Sequence, residues 1–340
     1  GPSPATSCGF AQPRRPRGPR DNVMTPPTIE ATRASLRPPA VQAGLAVSAT
    51  TVARDRRRVV ADFATLAKPR VVLMILVTTG VGYYVGLTEA ADWARLLHLL
   101  VGTALAAGGT LALNQYWERD VDARMERTRA RPLPDGRLLP LEALLFGSAL
   151  AAAGLVYLGV FIGVLALAVT LATAVLYLFA YTPLKLRTPF CTLVGAVPGA
   201  LPPVTGWVAA REDLGIGAWV LFGILFLWQL PHTLAIARLY CEDYARAGVR
   251  LLPVVDRDGT STERQIVTGC LALLVVSMLP TLIGLAGPIY FAGACVLGAA
   301  FVVLGARQAL TPSPVAARRV LLASLLYLPL LLALLAFDKV

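Results

Sequence analysis

The sequence predicts an all-α polytopic membrane protein, with about nine transmembrane helices around a central cavity. Three observations predict it. Apolar residues make up 56% of the 340 residues. Charged residues are scarce, at 15%, and are gathered into short clusters. Between those clusters lie apolar runs of about 20 residues, the length a helix needs to cross the hydrocarbon layer. A soluble domain would scatter its charges along every helix. No second block of soluble composition is long enough to fold, so one membrane domain is expected, residues 61–340.

Residues 1–60 precede it as a basic tail, rich in Pro, Ala, Ser, Thr and Arg and without a helical hydrophobic period. Disorder is expected there. Their Arg-rich, acid-poor character also resembles a transit peptide, but a cytoplasmic tail is the preferred reading.

The first span, roughly 70–88, begins behind Lys68 and Arg70. The second, roughly 95–116, has His98 near its outer start and runs into a charged stretch. Pro134-Asp135-Gly136 forms a turn before the third, roughly 139–159. The fourth, roughly 161–181, closes at Thr182-Pro183. The fifth, roughly 190–210, carries Gly195, Pro198, Gly199, Pro202, Pro203 and Gly206, a composition of broken or closely packed helices. Pro231 is expected to break or kink the inner half of the sixth, roughly 216–237. Asp258-Gly259 precedes the seventh, roughly 264–285, and Gly287-Pro288 marks the turn into the eighth, roughly 287–306. The ninth covers roughly 318–337.

The net charge of +11 lies largely in the tail and in the loops after spans two, four, six and eight. That alternation places those loops and the N terminus on the cytoplasmic side, with the C terminus outside. It makes the lipid bilayer, not nucleic acid, the expected partner. Cys8, Cys191, Cys241, Cys270 and Cys295 form no CxxC pattern, so neither a disulfide framework nor a zinc site is expected.

The chemistry is concentrated where span two meets its cationic loop. Asn114, Glu118 and Asp122 are spaced i, i+4, i+8, which places all three on one helix face. Hard oxygen donors at the end of a membrane span suit Mg²⁺ on a phosphorylated substrate. Arg127 and Arg131, one turn apart, suit the remaining phosphate charge. A solvated helix end with acid–arginine pairs would account for the charges, but not for so many acids within the last turn of a span. A second region on the same side holds His232, Glu242 and Asp243. Lys185 and Arg187 follow span four and could fold over the site; Lys68 ranks below them, since basic residues at span ends are more often topology anchors.

At these residues the chain resembles the UbiA superfamily of intramembrane prenyltransferases, and within it the branch that farnesylates haem. The resemblance rests on Lys68-Pro69-Arg70, on Asn114 through Leu133, on Tyr181-Thr182 with Lys185 and Arg187, on Pro202-Pro203 with Gly206-Trp207, on Trp228 with Pro231-His232, and on Asp243 through Val255. It covers about residues 64–338.

It implies a UbiA-like bundle with its active site near the cytoplasmic face. It implies farnesyl diphosphate as donor, haem B as acceptor and Mg²⁺ as cofactor. Asn114, Glu118, Asp122 and Asp243, with Glu242, would hold the metal, and Lys68, Arg127, Arg131, Lys185 and Arg187 the diphosphate. His232 would bind the haem iron, orient a water, or serve structurally. Two positions depart from the pattern. Glu118 stands where the family usually has Asp, and Leu239 where the wider superfamily has a further acid. A bacterial cytoplasmic membrane is the expected location, with a mitochondrial inner membrane as the other reading. The product would pass to haem A synthase or terminal oxidase assembly. The rival readings are a prenyltransferase acting on an aromatic or quinone-precursor acceptor and, from another class, a membrane transporter.

Overall fold

The structure is a computed structural model that describes residues 56–340; the tail expectation up to residue 55 lies outside the described residues. The chain enters through α1 (Arg56–Ala67), so the last five residues assigned to the tail are helical. This helix has a buried side: Leu66 is fully buried, and Asp62 pairs with Arg137 at 2.5 Å. Gln115 Nε2 donates to the Leu66 carbonyl at 2.8 Å, which fastens α1 to the second span.

α2 (Pro69–Gly86) opens with Pro at its first turn, where a missing N–H costs nothing. α3 (Trp93–Asp122) is 30 residues long and carries the second span beyond the expected boundary to Asp122. α4 (Pro140–Phe161) returns antiparallel to it. Their contact is set by glycine. A Cβ on Gly109 would strike the backbone of Gly147 and Ala151, and one on Gly154 the backbone of Gly102 and Ala106. Small residues at matching depths let the two backbones touch, which is how helices associate where water supplies no driving force.

α5 (Val164–Val175) passes into a π-helical turn, Leu176–Tyr181, and then α6 (Thr182–Leu184). The fifth span is broken as expected, into α7 (Cys191–Ala200) and α8 (Pro202–Arg211). Pro202 and Pro203 lack the N–H groups that would carry the ladder across. α8 lies against α2 at backbone contact, Gly206 on Thr79 and Gly82 on Pro203.

α9 (Ile216–Leu239) corrects half of one expectation: Pro231 does not break the helix, which runs through it. The ring costs one intrahelical bond, and the helix survives because α12 offers Gly269 opposite it, leaving the ring room. Two short helices follow, α10 (Cys241–Arg246) and α11 (Leu252–Val255). α12 (Thr260–Val276) stops four residues before Pro280, the carbonyl that proline would orphan, and α13 (Leu279–Leu282) completes that span. α14 (Pro288–Leu310) and α15 (Pro314–Phe337) close the bundle.

Among the described residues nine helical segments are long and apolar enough to cross a membrane, matching the expected number. The two ends of the bundle differ. One gathers the α1–α2 turn and the loops after α3, α6, α9 and α14. The other gathers the turns after α2, α4, α8 and α13 with the C terminus: Lys339 Nζ donates to the Tyr84 and Leu87 carbonyls, and Arg95 meets Glu212 at 2.6 Å. The alternation of charge in the sequence is therefore an alternation of ends in space.

Candidate active site

An apolar cavity of about 700 Å³ occupies the middle of the bundle. Thr103, Ala106, Ala107 and Thr110 of α3 line one wall, and Asn114 lies one turn further along the same helix. Gly195, Gly199 and Pro202 of the broken span line another, where missing side chains leave space. Tyr177 and Tyr181 close the end towards the charged loops.

Beyond those tyrosines lies an ionic cluster. Asn114 is buried, and its Oδ1 accepts from Lys68 Nζ at 3.3 Å and from the Tyr177 hydroxyl at 3.4 Å. Its Nδ2 donates to Thr182 Oγ1 at 3.1 Å. Glu118 Oε1 meets Lys185 Nζ at 2.7 Å. Asp122, buried, accepts from Arg131 Nη1 at 2.6 Å. The i, i+4, i+8 spacing thus delivers three oxygen donors to one face, each already engaged by a different cation.

Lys68 enters this cluster through an unusual backbone. Its φ is +51°, and it stands between α1 and α2 immediately before Pro69. A non-glycine residue in the left-handed region costs free energy and persists where its surroundings fix it. Here the turn delivers the ammonium to Asn114. Burial pushes the Lys68 pKa down to about 8, helped by the positive charges of Arg131 and Lys185 and opposed by Glu118 and Asp122. Burial also works against the charge of Lys185, but Tyr181 and Glu118 outweigh it and hold that ammonium above its usual range. The Lys185 ammonium sits 4.3 Å from the centre of the Tyr181 ring, a cation–π contact.

Asp243 occupies a neighbouring position. Its Oδ1 accepts from the Glu126 amide at 3.3 Å and from Arg246, which also pairs with Glu126 at 2.9 Å. Burial would raise its carboxyl, but the Arg246 guanidinium and the Glu126 and Arg127 amides win and hold it below the usual range. Arg127 donates to the Tyr244 hydroxyl at 2.6 Å and lies over the Tyr240 and Tyr244 rings. These contacts clasp the loop after α3 to the loop after α9.

The structure therefore brings together Lys68, Asn114, Glu118, Asp122, Arg131 and Lys185. Arg127 and Asp243 stand one loop away, facing each other's segments. Glu242 and Arg187 are exposed. Among the described residues no three His, Cys, Asp or Glu side chains are already arranged to hold a metal. Glu118, Asp122 and Asp243 are each neutralised by a cation instead.

His232 lies on the cavity wall in α9. Its ring stacks on Trp228 at 4.7 Å, and its Nδ1 is 2.8 Å from Ser324 Oγ. Ser324 gives its only proton to the Leu321 carbonyl at 2.6 Å, so it must accept from His232. The proton is then on Nδ1, and in the neutral ring Nε2 keeps its lone pair.

Two residues escaped the sequence reading. Tyr177 contacts Asn114 because the π-helical turn widens the helix at that point; its only sequence signal is its place four residues before Tyr181. Arg246 is the cation of Asp243 at i+3, a spacing that reads equally well as a solvated helix end.

An apolar chamber sealed at one end by oxygen donors and paired cations, inside nine membrane-crossing helices, defines an integral membrane enzyme that acts on an amphipathic anionic substrate. The chain belongs to the UbiA prenyltransferase family, whose model matches residues 75–334. It is 50% identical over 287 residues to the protoheme IX farnesyltransferase of Solibacter usitatus (strain Ellin6076), a match covering 82% of this chain and 98% of that one. It is 44% identical over 289 residues to the protein of the same name from Koribacter versatilis (strain Ellin345), covering 82% and 93%. The fold is shared with digeranylgeranylglyceryl phosphate synthase, at a TM-score of 0.70 and 17% identity over 82% of this chain and 98% of that one. It is also shared with a UbiA homologue from Archaeoglobus fulgidus solved with GPP and Mg²⁺, at a TM-score of 0.57 and 16% identity over 81% and 99%.

Proposed function

We propose that the chain transfers a farnesyl group from farnesyl diphosphate to a vinyl group of haem B, with addition of water, giving haem O and diphosphate. The observation that carries this reading is the junction of two environments at Tyr177 and Tyr181: paired oxygen donors and cations on one side, a 700 Å³ apolar chamber on the other. A prenyl diphosphate has the same two halves. The choice of haem as acceptor follows the relatives' name and their 50% and 44% identity across nearly their whole length.

The donor set fits a hard divalent cation: the Asn114 amide oxygen with the carboxylates of Glu118 and Asp122, and Asp243 from the adjoining loop. Glu118 in the place of a shorter acid still supplies a carboxylate, and Glu242, exposed, is the more distant candidate. Mg²⁺ bound there would neutralise negative charge developing on the diphosphate. Before substrate arrives, Lys185, Arg131 and Arg246 satisfy the carboxylates. On binding, Lys185, Arg131 and Lys68 turn to the diphosphate oxygens, with Arg127 and Arg187 at the rim. Cations kept in place by carboxylates need little reorganisation when charge builds on the leaving group.

The reaction follows from that placement. The allylic C–O bond breaks and its electron pair leaves with diphosphate. The vinyl π pair bonds to the farnesyl carbon, and the cation left beside the porphyrin takes a water oxygen. That water loses a proton to the released diphosphate. Tyr177 and Tyr181 screen the first cation from solvent. His232 faces the chamber with Nε2 as an acceptor, suited to the haem iron or to the attacking water.

We place the loops after α3, α6 and α9, with the N terminus, in the cytoplasm, and the protein in the bacterial cytoplasmic membrane, where it hands its product to haem A synthase or oxidase assembly. Turnover in water enriched in heavy oxygen tests the chemistry: the label enters the hydroxyl of the product haem. A farnesylated haem without the label would refute the water-capture step.

A further inference from the structure

We propose that a second pocket, between the end of α14 and the start of α15, binds the phosphate of an anionic phospholipid headgroup. Its volume is about 330 Å³, and it shares no lining residue with the central cavity. Arg307 reaches it from the last turn of α14, and Arg319 from the second turn of α15. Thr311 and Ser313 of the intervening turn and Val315 of the first turn of α15 complete the wall.

What sets the two arginines apart is their place: they come from two helices and line one concavity that holds no acid. Arg119, Arg131, Arg137, Lys185, Arg238 and Arg246 all pair with carboxylates. Arg307 and Arg319 have no acidic partner among the described residues, and no acid lines the pocket. Both arginines are exposed, so an anion entering this concavity would meet guanidinium groups from two helices and no competing carboxylate. A phosphate diester fits, because each guanidinium offers forked donors to its oxygens. Ser313 adds one more donor: its Oγ accepts from the Ala316 amide at 3.1 Å, leaving its own proton to give. The Thr311 hydroxyl is already spent on the Arg307 carbonyl at 3.0 Å.

The surroundings favour a lipid over free phosphate. Leu310 is 81% exposed, Val315 61% and Leu322 51%, all flanking the pocket on helices that cross the membrane. Acyl chains would cover them while the headgroup occupies the arginines, the arrangement of basic interhelical pockets at a membrane interface. The pocket also adjoins the active-site end of the bundle. Gln308, next to Arg307, donates to Glu263 at 3.1 Å, and Glu263 holds Arg238 of α9.

Native mass spectrometry of the full-length protein in mild detergent tests this, with phosphatidylglycerol, phosphatidylcholine or inorganic phosphate added. Phosphatidylglycerol is expected to bind more tightly than phosphatidylcholine. The double substitution Arg307→Gln with Arg319→Gln should weaken that binding on the order of ten-fold and leave phosphatidylcholine unchanged. Arg264→Gln, at an exposed arginine outside the pocket, should have no effect. Equal phosphatidylglycerol binding by the double variant and the native chain would overturn the site. Displacement of the lipid by equimolar inorganic phosphate would overturn the lipid assignment.

Discussion

Asp122 is the side chain on which most of the proposed chemistry converges. It is buried, and it holds Arg131 at 2.6 Å. On the proposed reading, Asp122→Ala removes a metal donor and releases that arginine together. Turnover should fall on the order of 10²–10³-fold, the loss typical of an electrostatic group used in the transition state, as read from the rate of product haem formation. Lys68 gives a pH signature. Burial pushes its pKa down to about 8, lower than an ordinary lysine, and an anion binds the protonated form. The charge is complete below that value and lost above it, so affinity for farnesyl diphosphate measured in EDTA should weaken as pH rises through about 8. Lys68→Met should bind less tightly and lose this dependence; an unchanged pH profile would remove Lys68 from the diphosphate site. The i, i+4, i+8 face of α3 was legible in the sequence because helical periodicity is local. The place of Lys68 beside Asn114 was not, since a basic residue before a span reads first as an anchor and its left-handed backbone has no sequence signal. Arg187 and Glu242 illustrate the converse: suitable residue types in suitable loops, left exposed by the fold.

At the scale of elements, two contacts set the architecture. The α3–α4 contact depends on glycines that admit the neighbouring backbone, so Gly109→Leu should destabilise the bundle by about 1–3 kcal/mol or more through overpacking, seen as a lower thermal midpoint in detergent. The second is the buried Arg238–Glu263 pair joining α9 to α12, at 2.8 Å with the arginine fully buried. Removing one partner of a buried pair strands the other's charge. Glu263→Ala should therefore cost about 3–5 kcal/mol, well beyond the effect of Arg264→Gln beside it; equal midpoints would show that the pair adds nothing. Apolar run length located the spans well, and the Pro-Pro break in the fifth was readable from composition. The continuity of α9 through Pro231 was not, because it depends on Gly269 of a helix distant in sequence. The π-helical turn at Leu176–Tyr181 was equally hidden, since nothing in an apolar run announces an extra residue per turn.

Across the whole molecule, the alternating basic loops become one ionic end and the apolar runs become a chamber beneath it. The fold positions a cation-rich, oxygen-rich cluster where a diphosphate would leave, and an apolar space where a polyprenyl chain and a flat acceptor would meet. The direct test is an end-point reaction of the purified protein with haem B, farnesyl diphosphate and Mg²⁺, followed by mass spectrometry of the extracted haems. A haem heavier by one farnesyl and one water, and absent when EDTA replaces Mg²⁺, is the expected result. Unchanged haem B from a demonstrably folded protein would contradict the assignment of haem as acceptor.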